Sequence, residues 1–321
     1  MLSIKSPNHN PYFNIAAEEY LLKSFSEDIF FTYRNSPSVI VGKHQNTMGE
    51  IDFVYTQKNG IDVVRRMSGG GAVYHDYGNV NFTFIRNGKQ GALVDFKGFT
   101  KPVVEMLGTL GVDAKFEGNN SLTVNGLKVS GNAEHVYKQR VMHHGTLLFQ
   151  TDLSALANVL YVRDDRFISE RAVKSVRAST ANLSGFLPNG MQVEEFALYL
   201  FEYISRTNGA TEYIFSNEDL LEIERLVSEK YGKWEWNYGY SPFYSLKRKT
   251  QFQNKTIEFE VHVEKGIISL FNIKGELSNS YKKSIEAGLV GTPHSIIPTQ
   301  KSLENAKLDP QLVKALMSEL F

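Results

Sequence analysis

The chain has no cysteine among its 321 residues. That excludes a thiol nucleophile, a disulfide framework and thiolate metal sites. Net charge is also missing: 35 lysines and arginines balance 35 aspartates and glutamates. No global basic field favours nucleic acid. No apolar run approaches the roughly 18–20 residues that a membrane helix needs. The N-terminal MLSIKSPNHNPYF lacks the apolar core of a signal peptide. A cytoplasmic setting is expected, with neither nucleic acid nor membrane as partner. Histidine is sparse, and none of the eight forms an HxxxH or HExxH helical pair, which argues against a dedicated zinc site. Internal repeats and low-complexity segments are absent.

What remains is an ordinary globular balance, 42% hydrophobic and 22% charged, long enough for one large domain or two smaller ones. Asn10-Pro11 before YFNIAAEEYLLKSF predicts a helix, with Phe13, Ala17, Tyr20, Leu21 and Phe25 along one face. Strands are expected over 29–34 and 38–41 around Asn35-Ser36-Pro37, and a helix over 103–110 closed by Gly111. SLTVNGLKVS, residues 121–130, predicts a hairpin turning at Asn125-Gly126, since both turn positions need positive φ. In that register Val124 faces Leu127 and Thr123 faces Lys128. Leu122, Val124, Leu127 and Val129 then share one face, and Lys128 projects from the other. A buried strand is expected over 141–150, and Asp152 suits the cap of a following helix. Residues 161–185, with Arg163, Arg166, Arg171, Lys174 and Arg177, read as a long surface loop, and long loops in compact domains are often functional. Helices are expected over 193–205 and from the capping box at Ser216 to Gly232. Beyond Trp234 and Trp236, alternation at Ile257, Phe259, Val261 and Val263 predicts a meander, followed by helical segments near 279–288 and 310–320. The expected organisation is a domain over 1–240 and a smaller α+β domain over 246–321.

RRMSGGGAVYHD, residues 65–76, places three consecutive glycines between a pair of arginines and a short strand. Its flanks, IDVV and NFTFI, are strand-like rather than linker-like. Such a bend lets a ligand approach bare backbone amides. Arg65 or Arg66 supplies a bidentate cation, and alternation allows only one of them to reach the ligand. Lys128 supplies a second cation. The glycine spacing matches neither a P-loop nor a dinucleotide fingerprint. His75 and Asp76 read equally well as polar site residues or, for Asp76, as the start of a turn at Asp76-Tyr77-Gly78-Asn79.

These residues resemble the lipoate–protein ligases of the biotin/lipoate ligase superfamily. The resemblance is carried by residues 65–76 with Gly78-Asn79, by Lys128-Val129-Ser130-Gly131-Asn132-Ala133, and by His143-His144-Gly145-Thr146-Leu147-Leu148. Ser175-Val176-Arg177 with Asn182-Leu183, and Trp234-Glu235-Trp236-Asn237, extend it in family order. It implies an α+β fold, a large mixed-sheet catalytic domain with a small α+β C-terminal accessory domain. It also implies a lipoate-scavenging reaction in two steps, with ATP and Mg²⁺ as cofactors. Lipoate (or octanoate) and ATP would form lipoyl-AMP. A lysine of an apo lipoyl-domain acceptor, a dehydrogenase E2 subunit or the glycine-cleavage H protein, would then take the acyl group. By motif position Lys128 is the catalytic residue, bridging the carboxyl and the α-phosphate. Arg66, Gly71, Ala72, Val73, Tyr74, Lys174 and Ser175 fall on the nucleotide side. Ser68, Gly69, Gly70, Lys128 and His144 fall on the lipoate side, and a satisfied core histidine explains His144 equally well. Val73, Val41, Leu147 and the aromatics near Tyr33 are candidates for the apolar slot.

One departure is Gly118-Asn119-Asn120-Ser121, where many relatives carry an arginine-asparagine-aspartate run. The missing acid leaves the metal ligands unassigned. The rivals are a lipoyl or octanoyl transferase, disfavoured because the members compared use a cysteine nucleophile, and a non-catalytic lipoate-binding relative.

Overall fold

The computed structural model describes residues 1–88, 94–160, 169–170, 172–176, 178–187 and 190–321. Arg163, Arg166, Arg171 and Arg177 of the expected loop carry no described side chain. The architecture is α+β and packs as two units. The first comprises residues 1–43, 60–160 and 175–233; the second comprises 44–59, 161–174 and 234–321. The second unit thus draws two segments from within the first 240 residues. No described helix is long and apolar enough to cross a membrane.

In the first unit, eight described strands form a mixed sheet in the order Thr211–Glu212, Leu2–Lys5, Ile29–Tyr33, Asn79–Asn87, Arg140–Leu148, Leu127–Tyr137, Ser121–Val124, Lys115–Glu117. One face packs on the helices Phe96–Thr109 and Val193–Thr207, through Phe30, Phe82, Phe84, Phe99, Val103, Phe196 and Leu200. Leu147, a candidate for the apolar slot, belongs to this core. The opposite face is covered by the helix Pro11–Ser24, capped by the Asn10 side chain. This helix is buried almost all round, at Glu18 and Glu19 as well as at its apolar positions. The strands flanking Asn35-Ser36-Pro37 part company: Ile29–Tyr33 enters the large sheet, while Ser38–Val41 joins Asp62–Arg65 and Val73–His75 in a three-stranded one.

The hairpin turns at Asn125 and Gly126, both at positive φ, with Val124 opposite Leu127 and Thr123 opposite Lys128. A bulge then shifts the register, so Leu122 faces Ser130 instead of Val129, and Leu127 is exposed rather than part of the buried face. The helix expected at 103 begins at Phe96, started by the Asp95 side chain and tolerant of Pro102 within it.

In the second unit, Ser169–Glu170, Tyr244–Phe252, Lys255–Glu264 and Ile267–Gly275 form an antiparallel sheet. Ile257, Phe259, Val261 and Val263 are all buried, the apolar face that their alternation predicts. The helices Asn279–Leu289, Ile296–Asn305 and Pro310–Leu320 complete it. The middle one was not expected; Pro298 stands within its first turn, where proline is tolerated.

Candidate active site

Three cross-strand rows carry the site on the sheet face beneath the helix Pro11–Ser24. Pairing sets Phe31, Thr83, His144 and Ala133 side by side. On one flank, Ile29, Ile85, Met142 and His135 form the second row. On the other, Tyr33, Asn81 and Thr146 form the third, extended by Gly131, whose amide donates to Thr146 Oγ1 at 3.2 Å. Side chains of paired strand residues lie on the same face, so all three rows share one surface.

Glu18 descends on the middle row. Its carboxylate accepts from Thr83 Oγ1 at 2.6 Å and from Tyr33 OH at 3.0 Å, and it faces His144 Nδ1 at 2.9 Å. Burial by itself would raise this carboxyl. The adjacent His144 and the three hydrogen bonds outweigh burial and hold Glu18 below the usual carboxylate range. From His144 the chain of contacts continues through Nε2 to Ser68 Oγ at 2.6 Å, and Ser68 Oγ accepts from Arg66 Nε at 2.9 Å. His144 is therefore linked to the glycine bend rather than to the aromatic core.

Arg66 braces that bend. Its guanidinium donates to Ile40 O at 2.9 Å, to Gly69 O at 2.6 Å and to Gly71 O at 2.8 Å. Burial lowers it to about 10, partly offset by Glu18 and Tyr33, so it remains a cation at neutral pH. Arg65 points elsewhere and donates to Gly42 O and Lys43 O, as alternation requires. The three glycines differ. Gly70 adopts φ +89°, which only glycine takes without strain, and at Gly71 a Cβ would stand 2.9 Å from Ser175 Oγ. Ser175 Oγ also accepts from Ala72 N at 2.9 Å. Val73 and Tyr74 continue into the strand Val73–His75, with Tyr74 buried.

Lys128 meets the same surface. Its side chain is half-buried, and burial lowers its ammonium below the ordinary lysine value. A Cβ on Gly131 would lie 3.3 Å from both Cε and Nζ of Lys128. Two residues on, a Cβ on Gly70 would lie 4.0 Å from the Ala133 methyl. One strand thus carries the Lys128 ammonium and the glycine bend over adjacent positions of one face. The Lys128 backbone is pinned by Ser179 O and Ala181 N. Lys174 is exposed and falls in the second unit.

The structure also places polar groups that sequence reading missed or left open. Glu18, half of an adjacent acidic pair, was passed over; a helix apolar on so many sides was the available signal that its acids are buried and paired. His75 is buried, and its Nε2 has no partner, as is true of Asn79 Oδ1 and Asn81 Nδ2. Asp76 resolves as a turn residue. Its carboxylate accepts from Gly78 N at 2.9 Å and Asp152 N at 2.7 Å. Asn120 clasps Asn132, its Nδ2 donating to Asn132 O at 2.9 Å and its own carbonyl accepting from Asn132 N. His143 is a core histidine on the far face, stacked on Phe99 and held by Glu134. Among the described residues no group of three His, Asp or Glu forms a metal cage.

Comparison with known proteins aligns with this geometry. Residues 10–205 match the family described as lipoyl protein ligase A/B catalytic domain. The lipoate-protein ligase LplJ of Bacillus subtilis is 41% identical over 282 residues, 86% of this chain and 85% of that protein. A chain from an archaeal lipoylation system of Thermoplasma acidophilum, comprising a bi-partite lipoate protein ligase and its E2 lipoyl domain, superposes with TM-score 0.64 at 28% identity, covering 74% of this chain and 96% of that one. A lipoate-protein ligase A bound with ATP superposes with TM-score 0.64 at 28% identity, covering 74% and 98%.

Proposed function

The chain belongs to the lipoyl protein ligase A/B family, and from that premise we propose that it activates lipoate with ATP and transfers the lipoyl group to a lysine of a lipoyl-domain protein. In the first step a carboxylate oxygen of lipoate bonds to the α-phosphorus of ATP, and the bond to the β-phosphate breaks, releasing pyrophosphate. In the second, the neutral acceptor amine bonds to the acyl carbon, the bond to AMP breaks, and the amine sheds a proton.

The observation that carries this reading is the shared strand face on which the Lys128 ammonium overlies Gly131 while Ala133 meets Gly70. Bringing a carboxylate against a triphosphate joins two anions, and a fixed cation beside bare amides is what stabilises the developing charge. We assign Lys128 as the catalytic residue. Ser68, Gly69, Gly70 and His144 are assigned to the acyl side. Arg66, Gly71, Ala72, Val73, Tyr74 and Ser175 are assigned to the nucleotide side, with Arg66 acting chiefly by holding the bend in shape. Lys174 is assigned from its motif position alone. Mg²⁺ is expected to arrive chelated by ATP, since this ion keeps most of its ligands as water and phosphate oxygens. The acceptors we propose are an E2 lipoyl domain and the glycine-cleavage H protein, and octanoate is the alternative acyl donor. The setting proposed is the cytoplasm, and the role is scavenging of free lipoate.

Lipoate-dependent exchange of labelled pyrophosphate into ATP tests the first step. A ligase gives exchange without any acceptor, whereas acyl transferase or pure binding activity gives none. Incubation with ATP, lipoate and separate apo-acceptors then ranks the two acceptor classes by the mass gained.

A further inference from the structure

His75 is buried to 3% exposure within electrostatic reach of Arg66 and His144, yet its Nε2 has no hydrogen-bond partner. Its Nδ1 lies 3.0 Å from Asn35 Nδ2. Which ring nitrogen carries the proton depends on which way Asn35 points, and a string of contacts decides that. Asn14 Nδ2 lies 3.3 Å from both Asn8 O and Arg34 O. Backbone carbonyls only accept, so the donor end of the Asn14 amide must face them. The other end, Asn14 Oδ1, accepts from Ser6 Oγ at 2.5 Å. Asn14 Nδ2 also reaches Asn35 Oδ1 at 2.8 Å, so the Asn35 carbonyl faces Asn14 and its NH₂ faces His75. Turning Asn35 round would set two amide donors against each other. Turning both amides would set Asn14 Oδ1 against two carbonyls. Nδ1 of His75 must accept, and the proton must sit on Nε2.

We propose that the relay Ser6–Asn14–Asn35 locks His75 in the Nε2-protonated tautomer, and that this buried N–H is a fixed donor to an anionic oxygen of the bound substrate, either the acyl carboxylate or a nucleotide phosphate. The second half rests on the ligase reading; the first does not. Asn35 and Asn14 are positioning residues that act through His75. A neutral donor is of use here. An imidazolium would have to lose a proton when the anion left, and an imidazole presenting a lone pair would repel it. Burial, then Arg66 and His144, press the ring down to about 3, which keeps it neutral throughout the working range.

The full-length chain, with ¹⁵N-labelled histidine, permits a direct test by long-range ¹H–¹⁵N correlation, the His75 signals being assigned by their loss in His75→Gln. The wild type should show a protonated Nε2 and an unprotonated Nδ1 from pH 6 to 8, without titrating. A protonated Nδ1, or titration in that range, overturns the proposal, and this measurement is made on the wild type without any ligand, the variant serving only for assignment. Next, lipoate and a non-hydrolysable ATP analogue are added separately. One of them should shift the Nε2–H resonance, which identifies the source of the oxygen. If calorimetry shows both binding and neither shifts it, the donor role is wrong. If neither binds while the tautomer stands, the ligase reading is what fails. In Asn35→Asp the carboxylate should draw a proton to Nδ1, and affinity for the shifting ligand should fall roughly 10- to 100-fold. An unchanged tautomer and unchanged affinity in a folded Asn35→Asp protein would refute the relay.

Discussion

His143 and His144 are neighbours in sequence and lie on opposite faces of one sheet. Both are buried, and each faces a glutamate at 2.9 Å. His143 is packed between aromatic rings, its centroid 5.1 Å from Phe99 and its plane within 10°. His144 touches Ser68, and through it the arginine that braces the glycine bend. The same residue type with the same partner type is a core element on one face and part of the candidate site on the other. Burial and a perturbed environment do not by themselves identify a site. What distinguishes the two is where the second nitrogen leads.

The sharpest way to break this comparison is to remove the cation of the proposed active face. Lys128→Ala should abolish pyrophosphate exchange, a loss of at least about 10²–10³. Its melting temperature should stay near that of the wild type, because Lys128 is half-buried and off the aromatic core. Normal exchange by the folded variant would refute the assignment. On the other face, Phe99→Ala should do the reverse. It removes a ring from the packed side and should cost about 3–5 kcal/mol in denaturant unfolding. Activity per folded molecule should hold. A selective loss of turnover would mean that the core face reaches the chemistry.

The histidines themselves give the intermediate effects. His144→Gln breaks the link from Glu18 to Ser68 and should raise KM for lipoate about tenfold, the scale of one charge-assisted hydrogen bond. His143→Gln should lower stability by about 1–3 kcal/mol with KM unchanged, because it leaves buried Glu134 and Asn132 contacts unmade. Equal KM values in the two variants would erase the distinction between the faces.

Much of this was legible in the sequence, and the exceptions have physical reasons. The Asn125-Gly126 turn and the alternation from Ile257 to Val263 are local signals, and both elements form as expected. The glycine bend was legible as a place of close approach, which Gly71 meets through Ser175. The bulge after Lys128 was not, because a one-residue register shift is set by how the whole sheet packs. Leu147 could be named only as one candidate for an apolar slot, because apolar character does not say which side of a sheet is the core; the fold puts it in the packed core. Glu18 was overlooked for a related reason. Adjacent acids in a helix ordinarily mark a solvated side, but here both are buried and the helix is covered nearly all round. Asn35 was read as a turn residue, and only three-dimensional contact connects it to Asn14 and His75.

Glu18 provides the mildest and most specific probe of the proposed active face, because its carboxyl is held down on folding. A group whose folded pKa lies below its unfolded value adds stability above the unfolded value, about 4.3 for glutamate, and loses it as pH falls through the folded one. The Glu18 contribution to the wild-type denaturant midpoint should therefore be constant near neutrality and be lost as pH drops below about 4.3, whereas His75, kept neutral on folding, adds a decline that begins below about 6.5 and is common to wild type and Glu18→Gln. Glu18→Gln should be less stable at pH 7, because the amide cannot serve His144, Thr83 and Tyr33 as three donors to one anion. It should also decline less steeply in acid. Glu19, held down by Lys23, Lys230 and Tyr231 despite its burial, adds its own acid slope in both proteins, so the difference between the two curves isolates Glu18. Parallel curves would mean that Glu18 keeps an ordinary carboxyl, and that the contacts from His144 to the glycine bend are not anchored by a buried anion.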